Sequence, residues 1–409
     1  MRHLAGASAF VAPAFALTRT MRANAQSLSK NHKSCIMLWL GGGPPSIDMW
    51  DMKPGAPTAG EYKPISTTGD FQICELMPEL AKLGKDLSVV RSMSTREADH
   101  ERGRYYMHTG YVPNPNVEHP SYGSVVAHEM EQGKKLSQLE IPPFVSIGGA
   151  SEGPGFLGMA YAPFQVDANG QIRDVQTSVP EARMMDRMKL LSALESRFIN
   201  EKRGSAAEEH EKVLKKTNEL LTSEQMNAFK VRTEPKEMVE KYGDNNFGRG
   251  CLMARRLVEV GVPFVEVNSG GWDLHKGCFT SLKAKLPELD KAFAALMEDL
   301  KQRGLLESTV VLCMGEFGRT PRINGDSGRD HFARAWSVAL GGAGIQGGRA
   351  IGKTNADGTG VDSDPFSSED LMATVCHALG ISLQTTYTAK NGRPMKIAGG
   401  GHVIQDLFA

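Results

Sequence analysis

The stretch from Thr309 to Gly348 constrains this chain more than any other. It opens with an apolar, β-branched run, Thr309 to Met314, and breaks into Gly315-Glu316-Phe317-Gly318-Arg319-Thr320-Pro321. A short continuous apolar run reads as a strand buried on both faces, as in a parallel sheet covered by helices. In open α/β sheets, ligands bind beyond the carboxyl ends of the strands. A carboxylate framed by two glycines at such an end therefore marks a crevice, and Glu316 is a candidate ligand for whatever binds there. The plainer alternative is a loop carboxylate paired with Arg319. Further on, Gly328-Arg329-Asp330-His331 adds a second charged cluster.

The same pattern occurs twice more. Ser34 to Leu40 is apolar and runs into Gly41-Gly42-Gly43-Pro44-Pro45-Ser46-Ile47-Asp48-Met49-Trp50-Asp51. Val262 to Val267 runs into Asn268-Ser269-Gly270-Gly271-Trp272-Asp273-Leu274-His275. Asp273 and His275 form a metal-ligand pair, or a carboxylate that orients an imidazole. Helical spacing at Leu76–Leu83, Ser124–Gln132, Phe247–Val260 and Ser281–Arg303 alternates with these strands. The expected fold is α/β: a doubly wound, mostly parallel sheet with helices on both faces. Residues 135 to 180 read as loops and short strands. Residues 180 to 245 read as a helical insertion or cap.

Strand ends scattered along the chain converge on one edge of such a sheet. Asp48, Asp273, His275, Glu316 and His331 would then meet as a metal site. Oxygen and imidazole donors without thiolate suit zinc, manganese, magnesium or calcium. The densest polar stretch is Glu97 to Gly110, where His100, Arg102, Arg104 and His108 could hold an anion, since arginine offers a planar fork to sulfate or phosphate.

Charge decides what the partner is not. With 47 basic and 47 acidic residues the chain is formally neutral, which argues against a nucleic-acid or anionic-membrane binder. Arg2, the mostly apolar stretch Leu4 to Leu17 and Ala23-Asn24-Ala25 read as an export signal over residues 1–25. The protein is thus expected in the periplasm or outside the cell. A twin-arginine route would need a start upstream of Met1. No other run is long enough to span a bilayer. The six cysteines show no paired spacing and read as small buried apolar residues.

The motifs GGGPPSIDMWDMKP, HERGRYYMHTGY, GGWDLH and MGEFGRTPRINGDSGRDH resemble those of the exported family called domain of unknown function 1501. More distantly, the chain resembles the alkaline phosphatase and sulfatase superfamily. His100-Glu101-Arg102-Gly103-Arg104 with Thr109-Gly110 matches the offsets of the sulfatase nucleophile motif. Arg104 falls on the arginine that steadies the nucleophile, and His100 on the nucleophile itself. Glu316 falls at a metal-ligand place, Phe317 where a second ligand would stand, and His331 on the late histidine. The resemblance implies an alkaline-phosphatase-like domain over residues 26–409 and a metal-dependent hydrolase of sulfate or phosphate esters, a sulfated or phosphorylated glycan among them. One divalent metal would polarise the ester or activate water. Arg104 and Arg319 would hold the anionic oxygens, and His100 or His108 would act as nucleophile, base or acid. No Cys, Ser or Thr stands at the nucleophile place, which excludes formylglycine chemistry. The alternative is a non-catalytic descendant of the fold that binds an envelope polysaccharide or a protein.

Overall fold

The computed structural model describes residues 33–133, 138–172 and 223–408, with Leu136, Leu220 and isolated positions between 183 and 196. The expected export segment and most of the helical insertion lie outside these residues. In chain order the main elements are β1 (Ser34–Leu40), β2 (Ser88–Met93), α1 (His100–Thr109), α2 (Tyr122–Gln132), β3 (Phe144–Ile147), β4 (Phe164–Val166) and α3 (Asn246–Glu259). There follow β5 (Phe264–Ser269), α4 (Cys278–Gln302), β6 (Thr309–Met314), β7 (Trp336–Gly341), β8 (Ala350–Ile351) and α5 (Ser368–Leu379).

The eight strands form one sheet in the order β8-β2-β7-β6-β1-β5-β3-β4. β1 lies at its centre, parallel to both β5 and β6. Only β7 opposes its neighbours, β2 and β6. The sheet is therefore mostly parallel, as the buried apolar runs require.

Alternation along β1 divides the interior in two. Ile36, Leu38 and Leu40 enter one core with α3 and α4, whereas Cys35, Met37 and Trp39 enter the other with α2 and α5. Successive side chains of a strand point to opposite faces, so a run that is apolar throughout needs helices on both sides. The helix ends are set locally. Asp99 caps α1 by accepting the Arg102 N–H at 3.0 Å. A reciprocal Ser367–Asp370 box caps α5.

All six cysteines are buried and unpaired. Burial holds their thiols in the neutral form, the Cys278 thiol being pushed up to about 12. Among the described residues, no helix is long and apolar enough to cross a membrane.

Candidate metal centre

Three strand tips meet through one glycine loop. Gly41 N–H donates to Ser269 O at 2.9 Å, and Trp272 N–H donates to Gly41 O at 3.1 Å, which ties the β1 and β5 tips together. Gly42 has φ +119°, and a Cβ there would run into the Asp273 backbone nitrogen, so only glycine fits. The Gly42 N–H donates to Glu316 Oε1 at 2.9 Å, which adds the β6 tip. A two-residue antiparallel ladder sets His331 opposite Arg319. The N-terminal turn of α1 brings His100 from the other side.

Four of the resulting side chains form a cluster. His100, Asp273 and His331 each offer one donor atom within 4.8 Å of the others. Asp273 Oδ1 lies 3.3 Å from His100 Nε2, 3.1 Å from His275 Nε2 and 3.3 Å from His331 Nε2. His275 Nε2 and His331 Nε2 are 3.0 Å apart. Phe317, fully buried, lies beside His100 and His331, with ring centroids at 5.1 and 4.8 Å.

The protons follow from the partners on the far side of each ring. His331 Nδ1 faces the Ala98 carbonyl at 2.8 Å. A carbonyl only accepts, so Nδ1 carries the hydrogen and Nε2 of the neutral ring presents a lone pair. His275 Nδ1 lies 2.7 Å from Asp330 Oδ1, and the hydrogen bond with His275 holds that carboxyl below its ordinary range. With its hydrogen on Nδ1, a neutral His275 likewise offers Nε2 as a lone pair. His100 Nδ1 lies 2.6 Å from Glu316 Oε1, and this bond raises the His100 pKa.

Asp273 is ionised. Burial works against its charge, but the hydrogen bond and charge of Arg319 carry it down to about 2. Two imidazole lone pairs and a carboxylate oxygen thus face one another. His100 Nε2 joins them, buried and 3.3 Å from Asp273 Oδ1.

Such a surplus of acceptors is what a cation satisfies. Ligand bonds of about 2.1 Å put adjacent donors about 3.0 Å apart at right angles and about 3.4 Å apart in a tetrahedron. The separations from Asp273 Oδ1 to the three Nε2 atoms and between His275 and His331 fall within that interval. A carboxylate or carbonyl behind each coordinating imidazole is also the usual arrangement around a metal. The residues present therefore fit a divalent ion.

The remaining expected residues are placed differently. Glu316 stands behind His100 rather than in the cluster of four, with Oε2 buried and unpartnered. Asp48 is not brought to the cluster: Arg329 grips it at 2.7 and 2.8 Å in the interior. Arg319 is not an anion hook. Its side chain is fully buried, and its donors go to Asp273 at 2.5 Å, Gly43 O at 2.8 Å, Arg329 O at 3.1 Å and Gly42 O. His108 lies beneath the site, packed on Trp39 at 4.1 Å, with Nε2 3.3 Å from the buried Glu266. Arg104, one turn beyond His100, is partly exposed and bound to Glu152 at 3.1 Å and to Ala150 O. Asp330 was not singled out by sequence, although it stands directly before His331 in the Gly-Arg-Asp-His motif.

A mostly parallel α/β sheet with imidazoles and carboxylates gathered at the carboxyl ends of its strands defines the class: an α/β protein with a candidate metal centre. The chain belongs to the family described as "Protein of unknown function (DUF1501)", whose model matches residues 32–408. No curated protein matches the sequence. Among solved structures, the chain is similar to the PsFucS1 sulfatase from Pseudoalteromonas sp., at 13% identity over 89% of this chain and 70% of that one, with a TM-score of 0.41. It is also similar to the phosphonate monoester hydrolase SpPMH from Silicibacter pomeroyi, at 11% identity over 92% and 76%, TM-score 0.37. A third is a protein in the alkaline phosphatase superfamily from Vibrio parahaemolyticus, at 12% identity over 96% and 78%, TM-score 0.38.

Proposed function

We propose that this protein is a metal-dependent hydrolase of anionic esters, sulfate or phosphate, whose single divalent ion is held by His100, Asp273, His275 and His331. One observation carries the reading. Two imidazole Nε2 atoms face each other at 3.0 Å, and an acceptor behind each Nδ1 leaves Nε2 as the atom that a neutral ring offers to an ion. The ester class comes from the resemblance of the sequence motifs to the alkaline phosphatase and sulfatase superfamily. Three imidazoles favour zinc over manganese, magnesium or calcium, which prefer oxygen.

When bound, the ion supplies Lewis-acid polarisation of the ester or a water of lowered pKa. The protein's own residues do the rest. Asp330 and Ala98 O fix the His275 and His331 rings. Glu316 holds the proton on His100 Nδ1, and Arg319 keeps Asp273 ionised. Arg104 is the cation that meets the anionic oxygens, once Glu152 gives it up. Among the described residues, no Ser, Thr or Cys side chain is hydrogen-bonded to the four cluster side chains. Water is therefore the nucleophile this site favours. We also place the protein outside the cytoplasm, on the pattern of residues 1–25; cell fractionation tests that point.

The decisive experiment is elemental analysis of the purified protein beside Asp273→Ala and His331→Ala, followed by assays with p-nitrophenyl phosphate and p-nitrophenyl sulfate. The expected result is near-stoichiometric divalent metal in the parent, lost in both variants together with hydrolysis. No metal after incubation with zinc, manganese or calcium would overturn the proposal. A second reading, a non-catalytic member that binds a polysaccharide or protein, draws on Arg104 and Arg319 both being paired with the protein's own carboxylates. Bound metal without hydrolysis of either ester would favour it.

A further inference from the structure

We propose that a cleft beside this centre binds a neutral, hydroxyl-rich ring such as a sugar. The inference rests on the ester-hydrolase reading of the neighbouring centre and names the part of the substrate that lies outside it. The cleft, of 540 Å³, opens where β3, β4 and β5 end and α3 begins. That volume lies within the usual range of small-molecule sites. Gly270 belongs to its lining and stands three residues before Asp273 in the chain.

Asn169, Asn245, Asn246 and Asn268 line the cleft from separate segments, together with Asp167 and Glu288. Each asparagine commits one amide atom to the protein. Asn245 Oδ1 accepts the Gly248 N–H at 2.9 Å, and Asn246 Oδ1 accepts from Arg249 at 2.8 Å. Asn169 Oδ1 faces Arg232 at 3.5 Å, and Asn268 Nδ2 donates to Ser146 Oγ at 3.2 Å. Among the described residues this leaves the amide NH₂ groups of Asn169, Asn245 and Asn246 and the carbonyl of Asn268 without a hydrogen-bond partner. Asp167 uses Oδ1 for the Asn169 and Gln171 N–H groups at 2.8 Å, and its Oδ2 remains. Glu288, exposed on α4, forms no ion pair among the described residues, although its charge acts on Lys285.

Donors and acceptors thus alternate around one cavity. A hydroxyl both donates and accepts, so adjacent hydroxyls on a ring match this lining. Asp167 and Glu288 face the ammonium of Lys285, which already donates to Gly270 O at 2.9 Å, and Arg232 and Arg249 stand at the Asn169 and Asn246 carbonyls, so neither sign of charge dominates the cleft. The charged ester belongs at the centre and the neutral ring in the cleft.

Saturation-transfer NMR of the full chain tests this, with a mixture of galactose, glucose, mannose, xylose, lactose and cellobiose at millimolar concentration. The parent is expected to show transfer to at least one sugar. Affinity should fall at least tenfold in an Asn169→Leu, Glu288→Leu double variant, and in Glu288→Ala alone should the double variant not fold. It should persist in Asp273→Ala, so loss of the metal centre and loss of the cleft read out separately. No transfer from any of the sugars, or transfer undiminished in the cleft variants, would overturn the proposal.

Discussion

Arg329 and Asp48 form a two-pronged ion pair in the protein interior, Nε to Oδ2 at 2.7 Å and Nη2 to Oδ1 at 2.8 Å. The pair joins the loop after β1 to the residue two places before His331. Removing one member of such a pair strands the other charge away from water, at a cost of about 3–5 kcal/mol. Asp48→Ala should therefore lower the unfolding free energy by about that much in urea titrations, while elemental analysis still finds the metal. Loss of metal with stability intact would show that Asp48 is a ligand after all.

Metal should stabilise the fold through the cluster. An ion that binds only the native state adds about 2.7 kcal/mol at a hundredfold excess over its Kd. Chelation should lower the melting temperature of the parent. Asp273→Ala and His331→Ala should melt at the same temperature with and without chelator. A parent melting curve insensitive to chelator and to added zinc or manganese would count against the site.

Arg104 offers a charge held in reserve. Its pairing with Glu152 is partly exposed to water, and such pairs contribute about 1 kcal/mol or less. Glu152→Gln should free the guanidinium and lower the KM for an anionic ester severalfold. Arg104→Ala should raise it by about tenfold to a hundredfold, the scale of a lost hydrogen bond to a charged group. Steady-state kinetics on both variants checks the pair; equal KM values would remove Arg104 from substrate binding.

A pH dependence sits at Asp290 on α4. Burial pushes the Asp290 carboxyl up to about 6, against the pull of the Leu80 and Glu79 N–H groups that it accepts. The native state therefore holds a proton here that the unfolded chain has released, between its ordinary pKa and about 6. Stability drawn from this group is full below about pH 4 and is lost as pH rises through 6. At about 1.4 kcal/mol per unit, the parent should lose about 2 kcal/mol relative to Asp290→Asn between pH 4 and 7. Parallel urea titrations at several pH values measure the difference.

Most of the fold was legible because a strand covered on both faces has little choice of residues. Ser34 to Leu40 and Thr309 to Met314 are apolar throughout, and each stops at a glycine where the backbone must turn. The antiparallel β7 was not anticipated; Trp336 to Gly341 follows the charged loop and carries no turn signal that fixes its direction. Within the site, His275 and His331 stood out by their position next to Asp273 and Asp330 in glycine-framed loops. What the sequence withholds is which opposite charges pair across long separations. Asp48 and Arg319 have the composition of a ligand and an anion hook, yet Arg329 and Asp273 claim them. Nothing local distinguishes a carboxylate that faces a crevice from one that faces a distant arginine. The buried Glu266 did leave a mark, as a lone charge inside the run Val262 to Val267.

The four donors come from three places in the chain: the start of α1, the loop after β5, and the short ladder at His331. None of these stretches holds the cluster alone, and the strands that bring them together are neighbours only in the closed sheet. A growing chain exposes His100 long before His331 exists, so an ion met early finds no complete cage. On the proposed reading, the compartment in which the chain finishes closing its sheet would be the one whose ion supply fills the cluster. If closure precedes passage through a membrane, the inner pool selects the metal; if it follows, the outer pool does.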